Sequence, residues 1–387
     1  MTPDRIELLI IVVAAVALLV QRLRLPYTVG LMLAGFGLGV MPGNENLHLT
    51  KELVFMFLLP PLVFEAALNM KLPELRKEMV YIGTMATVGL VVSAAIVAVG
   101  AVAFLGWPKE VSVLFAVLIS ATDPVSVIAM FKETKNRSRI RLLLEAESLL
   151  NDGTAAVAFT LASAVAMGGD ASPLHAVGQF AFSAIGGVWA GALVGWAGLI
   201  LVGRSDEPMV EIAITMAAAY GSFLLAQHFQ MSGVLATVAA GVVIGTYGEN
   251  NHFTEKGIEA TETFWEFAAF AANSVVFLLM GVRVVHIQLA QFGFPILIGV
   301  GLVLAGRAAS VYGISSLFLK TPWRVDWSGQ HLLFWGGLRG ALALALVLGL
   351  QADTPHLTEV TAVTFGIVGF SVLVQGLTMK PLVLRAS

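Results

Sequence analysis

The chain has 387 residues, of which 58% are hydrophobic and 12% are charged, and its mean hydropathy is +0.87. Because soluble proteins carry about 25% charged residues, this composition excludes an ordinary soluble globular protein, and the net charge of −3 excludes a basic nucleic-acid-binding surface. The sequence contains no cysteine, which excludes disulfide bonds and thiolate metal ligands. The chain is therefore predicted to reside in a lipid bilayer.

Apolar runs between charges, prolines and glycines predict thirteen membrane-spanning helices, since one span needs about 20 mainly apolar residues. We interpret the first run as a retained helix, because Arg22 and Arg24 stand where a cleaved signal needs small residues. The predicted spans cover residues 6–20, 26–41, 53–69, 79–105, 111–131, 141–167, 174–202, 209–227, 231–247, 263–282, 293–319, 330–350 and 357–379.

The distribution of Lys and Arg predicts how the chain is oriented. With thirteen spans and the N-terminus outside, sixteen of the 22 basic residues fall in inner loops and four in outer loops. This bias matches the positive-inside rule. We therefore expect an integral protein of the cell (inner or plasma) membrane, with the N-terminus outside, the C-terminus cytoplasmic and no regulatory tail after the last span.

Thirteen spans divide into six, one linker helix and six, which predicts two inverted six-helix repeats. The first repeat covers about residues 1–168, the linker helix about 174–202 and the second repeat about 209–387. Transporters of this design carry broken helices at matching places in both halves. The fifth predicted span should break at residues 120–124 (SATDP), because Pro124 disfavours a helix there. The twelfth predicted span should break at residues 336–340 (GGLRG).

Ionisable residues inside the spans are the central clue to function. At membrane depth each costs at least about 2.5–3.5 kcal/mol, so it usually has a partner and a role. Four acids against two bases leave two excess negative charges, which bound protons or a metal cation must compensate. The six residues are Glu65, Asp123, Glu147, Asp152, Arg307 and Arg339.

Two helices together offer the ligands of a small hard cation. Ser148 and Asp152 lie four residues apart and share a face of the sixth predicted span. The break in the fifth predicted span adds the Asp123 carboxylate and backbone carbonyls near Thr122 that we expect to be free. Such oxygens suit Na⁺ or Li⁺. The alternative is a polar packing cluster, in which Ser148 and Asn151 only bridge helices.

Competition for these carboxylates would be sufficient for antiport, because one site holds either a cation or a proton and faces the two sides alternately. The remaining charges have partly structural interpretations. Glu65 either pairs with a base such as Arg339 or contacts the ion, and Arg339 orients acidic or amide partners. Arg307 needs a counter-charge, for which Glu147 is the candidate.

Four segments of the sequence resemble the monovalent cation–proton antiporters of the NhaP and sodium/hydrogen exchanger type, and the resemblance covers nearly the whole chain. The Thr-Asp-Pro and Asn-Asp elements are its most specific part. The segments are ISATDPVSV (119–127), ESLLNDGTA (147–155), FWEFAAFAANSVVFLLMG (264–281) and FWGGLRGALALAL (334–346).

This resemblance implies a thirteen-helix homodimer in which an ion-carrying core domain makes an elevator-like movement against a dimerisation domain. It implies transport of Na⁺ (or Li⁺ or K⁺) against H⁺, with no cofactor and no enzymatic activity. Asn151, where other relatives have aspartate, implies electroneutral one-for-one exchange. The implied ion ligands are Asp123, Asp152, Ser148 and the Thr122 main chain. The implied supporting residues are Glu65 (through water or by holding Asn151), Arg339, and the salt-bridged pair Glu147 and Arg307.

Other functions remain as alternatives. A K⁺/H⁺ antiporter would use the same oxygens, because cavity size and ligand distances decide selectivity. A cation channel would usually line a shared pore with rings of carbonyls or acids, whereas this chain concentrates its charges at two broken helices. An intramembrane aspartyl protease lacks support, because its Tyr-Asp and Gly-x-Gly-Asp motifs are not seen. A neutral-solute symporter would explain the excess negative charge less simply.

Overall fold

Helices are the only regular elements in the part of the chain that this computed structural model describes, namely residues 3–23, 26–41, 49–123, 125–133, 139–166, 172–248, 253–287 and 289–385. The predicted all-α membrane fold is therefore confirmed. The helices are α1 (Pro3–Leu23), α2 (Tyr27–Val40), α3 (Leu59–Leu68), α4 (Leu72–Thr84), α5 (Leu90–Gly100), α6 (Lys109–Leu118), α7 (Val125–Glu133), α8 (Arg139–Ala166), α9 (Pro173–Val202), α10 (Pro208–His228), α11 (Gly233–Tyr247), α12 (Glu255–His286), α13 (Gly293–Leu317), α14 (Trp327–Trp335), α15 (Ala341–Leu348), α16 (Leu357–Phe370) and α17 (Gly376–Arg385).

Short π-helical turns join several of these helices into longer rods. They lie directly before α3, on both sides of α5 and between α16 and α17, and one 3₁₀ turn precedes α13. The continuous rod of α4 and α5 is 34 residues long. At a rise of about 1.5 Å per residue, such a rod exceeds the roughly 30 Å hydrocarbon core of a bilayer.

Seven helical segments of the described residues are long and apolar enough to cross a bilayer alone. The other predicted spans correspond to shorter or interrupted helices, so the number thirteen and the division into two repeats stay predictions. The seven segments are Leu72–Leu105, Arg139–Ala166, Leu174–Val202, Pro208–His228, Glu255–His286, Leu289–Leu317 and Leu357–Val383.

Two helices begin about two turns before the predicted spans. α4 begins at Leu72 rather than residue 79, and α12 begins at Glu255 rather than residue 263. The additional turns contain charged residues, which a search for apolar runs passes over. Local signals start both helices: Pro73 stands in the first turn of α4, and the Thr254 hydroxyl caps α12 by accepting a backbone N–H at 2.9 Å.

The helices pack in two groups. The α2/α12 group comprises α1–α3 and α9–α12, and the broken-helix group comprises α4–α8 and α13–α17. Each predicted six-span repeat contributes three spans to each group, and the predicted linker helix, α9, belongs to the α2/α12 group. The groups meet mainly where α8 contacts α3, α9 and α11 and where α15 approaches α12.

Glycines bring α2 and α12 into backbone contact at the centre of the first group. A Cβ atom added at Gly35 would lie 2.0 Å from the carbonyl oxygen of Leu278, and one at Gly281 would lie 2.2 Å from that of Met32. Only glycine permits such an approach, which is typical of helix pairs in membranes. α2 and α12 therefore pack together as one unit.

We predict that Gly35→Val destabilises the protein by about 1–3 kcal/mol, because its side chain has no room against α12. Gly37→Val is the matched control, since a Cβ at Gly37 on the same helix has no neighbour within 4 Å. Thermal unfolding of the purified variants, followed by tryptophan fluorescence, measures the difference. Equal melting temperatures for the two variants would contradict the tight α2–α12 contact.

Candidate ion-binding site

Two interrupted helices meet at the centre of the broken-helix group. The first interruption separates α6 from α7 and the second separates α14 from α15, at the places predicted from the sequence. The backbone N–H of Asp123 donates to the Leu338 carbonyl at 2.8 Å, which joins the two interruptions directly. Pro124 lies outside the described residues.

Arg339 donates hydrogen bonds to the unpaired backbone carbonyls that follow α6. Its Nη1 atom donates to the carbonyls of Ser120 at 2.7 Å and Ala121 at 3.1 Å, and its side chain is buried. Asn151 of α8 adds a second donor to the Ser120 carbonyl, at 2.9 Å from its Nδ2. A helix C-terminus presents unpaired carbonyls with a partial negative charge. The guanidinium therefore neutralises this end and does not reach the carboxylate of Asp123.

Asp123 occupies the complementary position, between two helix N-termini. Its Oδ1 accepts the N–H of Val125 at 3.1 Å, and its Oδ2 lies 3.5 Å from the N–H of Ala341. Helix N-termini stabilise a negative charge. Gly340 makes room for the carboxylate, since a Cβ atom there would lie 2.0 Å from Asp123 Oδ2.

One face of α8 lies against the first interruption. The Ser148 hydroxyl donates to the Thr122 carbonyl, and Asn151 Nδ2 lies 3.1 Å from the Thr122 hydroxyl. The carbonyls at residues 120–122, which we expected to be free, therefore already accept hydrogen bonds. A carbonyl has two lone pairs, so Thr122 retains one for a cation. Asp152 Oδ1 is buried and has no hydrogen-bond partner among the residues that the structure describes.

A cavity of about 830 Å³ brings the predicted ion ligands together. It extends to residues that the charge distribution places near the cytoplasmic side, including Pro26, Glu145 and Lys380. The cavity is otherwise largely apolar. The predicted site residues that line it are Glu65, Thr122, Asp123, Ser148 and Asp152.

A second cavity, of about 1370 Å³, lies on the opposite side of this site. Its wall includes Lys51, Glu110 and Asp353, which the sequence places near the outer face. On α8 the first cavity reaches Asp152 and the second begins at Ala156, so about one helical turn, or 5.4 Å, separates them there.

Glu65 lies on α3 in the wall of the first cavity, across the boundary between the two helix groups. Its Oε1 accepts a hydrogen bond from Asn69 Nδ2 at 3.0 Å. The suggested partner, Arg339, instead donates to the carbonyls at the end of α6. Glu65 is therefore a carboxylate of the cavity wall, contributed by the α2/α12 group.

Glu147 and Arg307 form a buried, two-pronged ion pair. Nη1 and Nη2 of Arg307 lie 2.8 and 3.0 Å from the two carboxylate oxygens of Glu147. The guanidinium also donates to the Leu333 carbonyl, at 2.8 Å from Nη2. These bonds join α8, α13 and α14, so they hold three helices of the broken-helix group around the site.

A sequence profile described as "Sodium/hydrogen exchanger, transmembrane" matches residues 8–385. The chain is 35% identical to the Na⁺/H⁺ antiporter ApNhaP of Aphanothece halophytica, over 93% of this chain and 69% of the relative. It is 34% identical to the Na⁺/H⁺ antiporter NhaH of Halobacillus dabanensis, over 98% and 96% of the two chains. The chain belongs to the sodium/hydrogen exchanger family.

A solved structure shares the fold of this exchanger. It is the sodium proton antiporter MjNhaP1 from Methanocaldococcus jannaschii, which superposes with a TM-score of 0.80. The alignment covers 99% of this chain and 97% of the other, at 18% sequence identity. The profile match and the relatives confirm the recognised family and the transporter class, and the superposition confirms the membrane-spanning fold.

Two residues that line the same cavity had no role predicted from the sequence. Gly340 was noted only as part of a break, although it makes room for Asp123. Asn273 of α12 lines the same cavity as Asp152. It lies inside one of the four family-like segments, and that was its only signal, because an uncharged amide in an apolar helix does not stand out as a buried charge does.

We predict that Arg307→Met lowers the free energy of unfolding by about 3–5 kcal/mol, because it leaves the Glu147 carboxylate buried without a partner. The double variant Glu147→Leu/Arg307→Met should recover much of this loss, since it removes both charges. Arg324→Met, at an exposed position, is the matched control. Thermal unfolding of the purified proteins measures the effect, and a double variant no more stable than Arg307→Met would contradict the pairing.

Proposed function

We propose that this chain is a secondary active antiporter that exchanges Na⁺ for H⁺ across the membrane. The observation that carries the proposal is the position of Asp152. One of its oxygens has no hydrogen-bond partner among the described residues, and the side chain shares a cavity with Asp123 and Ser148. The relatives named above, which are Na⁺/H⁺ antiporters, support the same exchange.

The proposed cation ligands are the carboxylates of Asp152 and Asp123, the hydroxyl of Ser148 and the carbonyl of Thr122. All are hard oxygen donors, which alkali cations prefer to nitrogen or sulfur. A proton binds to the same carboxylate lone pairs, so a bound proton and a bound cation exclude one another. Glu65, on the facing wall of the cavity, contacts the site through water in this proposal.

Four residues hold the site without binding the ion. Arg339 and Asn151 share the Ser120 carbonyl, so they fix the interruption between α6 and α7. The Glu147–Arg307 pair fixes α8 against α13 and α14. The ion ligands therefore sit on a braced frame.

We propose that the exchange is electroneutral, with one proton for one cation. The α8 motif has Asn151 beside Asp152, where an electrogenic relative would have a second aspartate. When one Na⁺ replaces one proton, the two loaded forms of the protein carry the same charge. The charge moved in one direction then cancels the charge moved in the other, so the membrane potential does not drive the complete exchange cycle.

The two helix groups suit alternating access by an elevator-like movement. In this proposal the broken-helix group is the core domain that carries the ion, and the α2/α12 group is the stationary dimerisation domain of a homodimer. The N-terminus is outside, so the 830 Å³ cavity faces the cytoplasm. Movement of the core past the one-turn barrier at residues 153–155 would open the site to the second cavity.

We predict that Asp152→Asn reduces exchange to the rate of liposomes without protein, because the amide neither takes up a proton nor balances a cation. Asp206→Asn, at an exposed loop position, is the matched control and should retain the activity. The assay records dissipation of a pH gradient in proteoliposomes after addition of Na⁺, Li⁺ or K⁺.

Activity of Asp152→Asn close to that of the unchanged protein would contradict the assigned ligand. A response of the unchanged protein to K⁺ alone would identify a K⁺/H⁺ antiporter. Cation flux without coupled proton movement would instead identify a channel.

A further inference from the structure

Asn273 is the polar residue of the α12 wall whose role is unexplained. Its side chain is only 8% exposed, and its Oδ1 atom has no hydrogen-bond partner within the described ranges. Buried amide oxygens are nearly always hydrogen-bonded, so an exception calls for an explanation. Asn273 lines the cavity that also contains Asp152 and Asp123, and it belongs to the opposite helix group.

The neighbours of Asn273 are engaged in packing. The Ser274 hydroxyl lies 2.8 Å from the Tyr27 hydroxyl of α2 and donates to the Phe270 carbonyl at 2.6 Å. The Tyr27 ring stacks on that of Phe270, with ring centroids 4.9 Å apart. Together with the glycine contacts between α2 and α12, these bonds fix Asn273 to the α2/α12 group, so it cannot follow Asp152 when the broken-helix group moves.

The same face of α12 carries a second polar residue of the cavity wall. Glu266 precedes Asn273 by seven residues, or about 10 Å along the helix, and also lines the cavity. Because α12 begins on the predicted cytoplasmic side, Glu266 lies nearer the opening and Asn273 nearer the ion site. Phe270 and Ala269 lie between them in the same wall.

We propose that the Asn273 side chain is a transient contact for the cation, or for a water molecule of its hydration shell, as the cation passes between the cytoplasmic cavity and Asp152. The contact rests on the proposed function and adds a residue to it. An amide oxygen is a hard ligand for a metal cation. Because it is neutral, it binds weakly enough to release the ion, as a step in a conduction path requires.

The contact is confined to one side of the membrane. Asn273 stays with the stationary helices, so the cation meets it only when the site faces the cytoplasm. Its removal should weaken apparent cation affinity at the cytoplasmic face and leave the outer face unchanged. The final ratio of ion gradients should also stay the same, because the number of protons exchanged per cation does not change.

We predict that Asn273→Ala raises the Na⁺ concentration for half-maximal exchange at the cytoplasmic face about 2- to 10-fold, the effect of losing one polar contact. At the outer face the value should remain that of the unchanged protein. Asn273→Asp, which keeps an oxygen in place, should restore cytoplasmic affinity. Inside-out and right-side-out membrane vesicles expose the two faces to Na⁺ separately, and proton movement reports exchange in both.

Ser274→Ala, next to Asn273 on α12, is the control for a structural effect, because it removes the hydrogen bond to Tyr27 of α2 and should not produce a difference between the faces. Melting temperatures of all variants show that they fold. An equal change at both faces, or no change at either, would overturn the proposal for Asn273. Absence of exchange by the unchanged protein would refute the proposed function itself, which separates the two failures.

Discussion

A carboxylate inside a bilayer is tolerated only when something replaces the water around it, and this constraint organises the whole structure. Asp123 accepts hydrogen bonds from backbone N–H groups at the start of two half-helices, and Arg339 donates hydrogen bonds to carbonyls at the end of a third. The interrupted helices therefore supply a positive partial charge to the Asp123 carboxylate and a negative partial charge to the Arg339 guanidinium. Asp152 is left with an oxygen that no described residue satisfies, and in the proposed function an ion or a proton is its partner.

The remaining buried charges serve to keep that arrangement rigid. Glu147 and Arg307 neutralise each other at 2.8 Å and join three helices, so as a pair they add no net charge near the ion site. Backbone contacts through Gly35 and Gly281 hold α2 and α12 tightly together in the other helix group. Two rigid bodies that meet along α8 and α15 can move past each other without disturbing the ligands within either one.

The sequence predicted those features that depend on local chemistry. Apolar runs located the helices, and proline, glycine and charge located both interruptions. The excess of acidic over basic residues inside the spans indicated Asp152, and the need of Arg307 for a counter-charge suggested its pair with Glu147. Features that depend on long-range geometry were not predicted: the bond from Asp123 to Leu338, the hydrogen-bonded state of the Thr122 carbonyl and the place of Asn273 across the cavity. None of these has a signature in spacing or composition.

The central claim is that one site holds either a cation or a proton, and proton release on Na⁺ binding tests it most directly. Titration calorimetry of the purified protein, repeated in buffers of different ionisation heat over a series of pH values, counts the protons released per Na⁺ bound. The account predicts that this number rises to one at low pH, where the site starts protonated, and falls towards zero at high pH, where it starts empty. Sodium binding that releases no proton at any pH would contradict the shared site, and release of two would contradict one-for-one exchange.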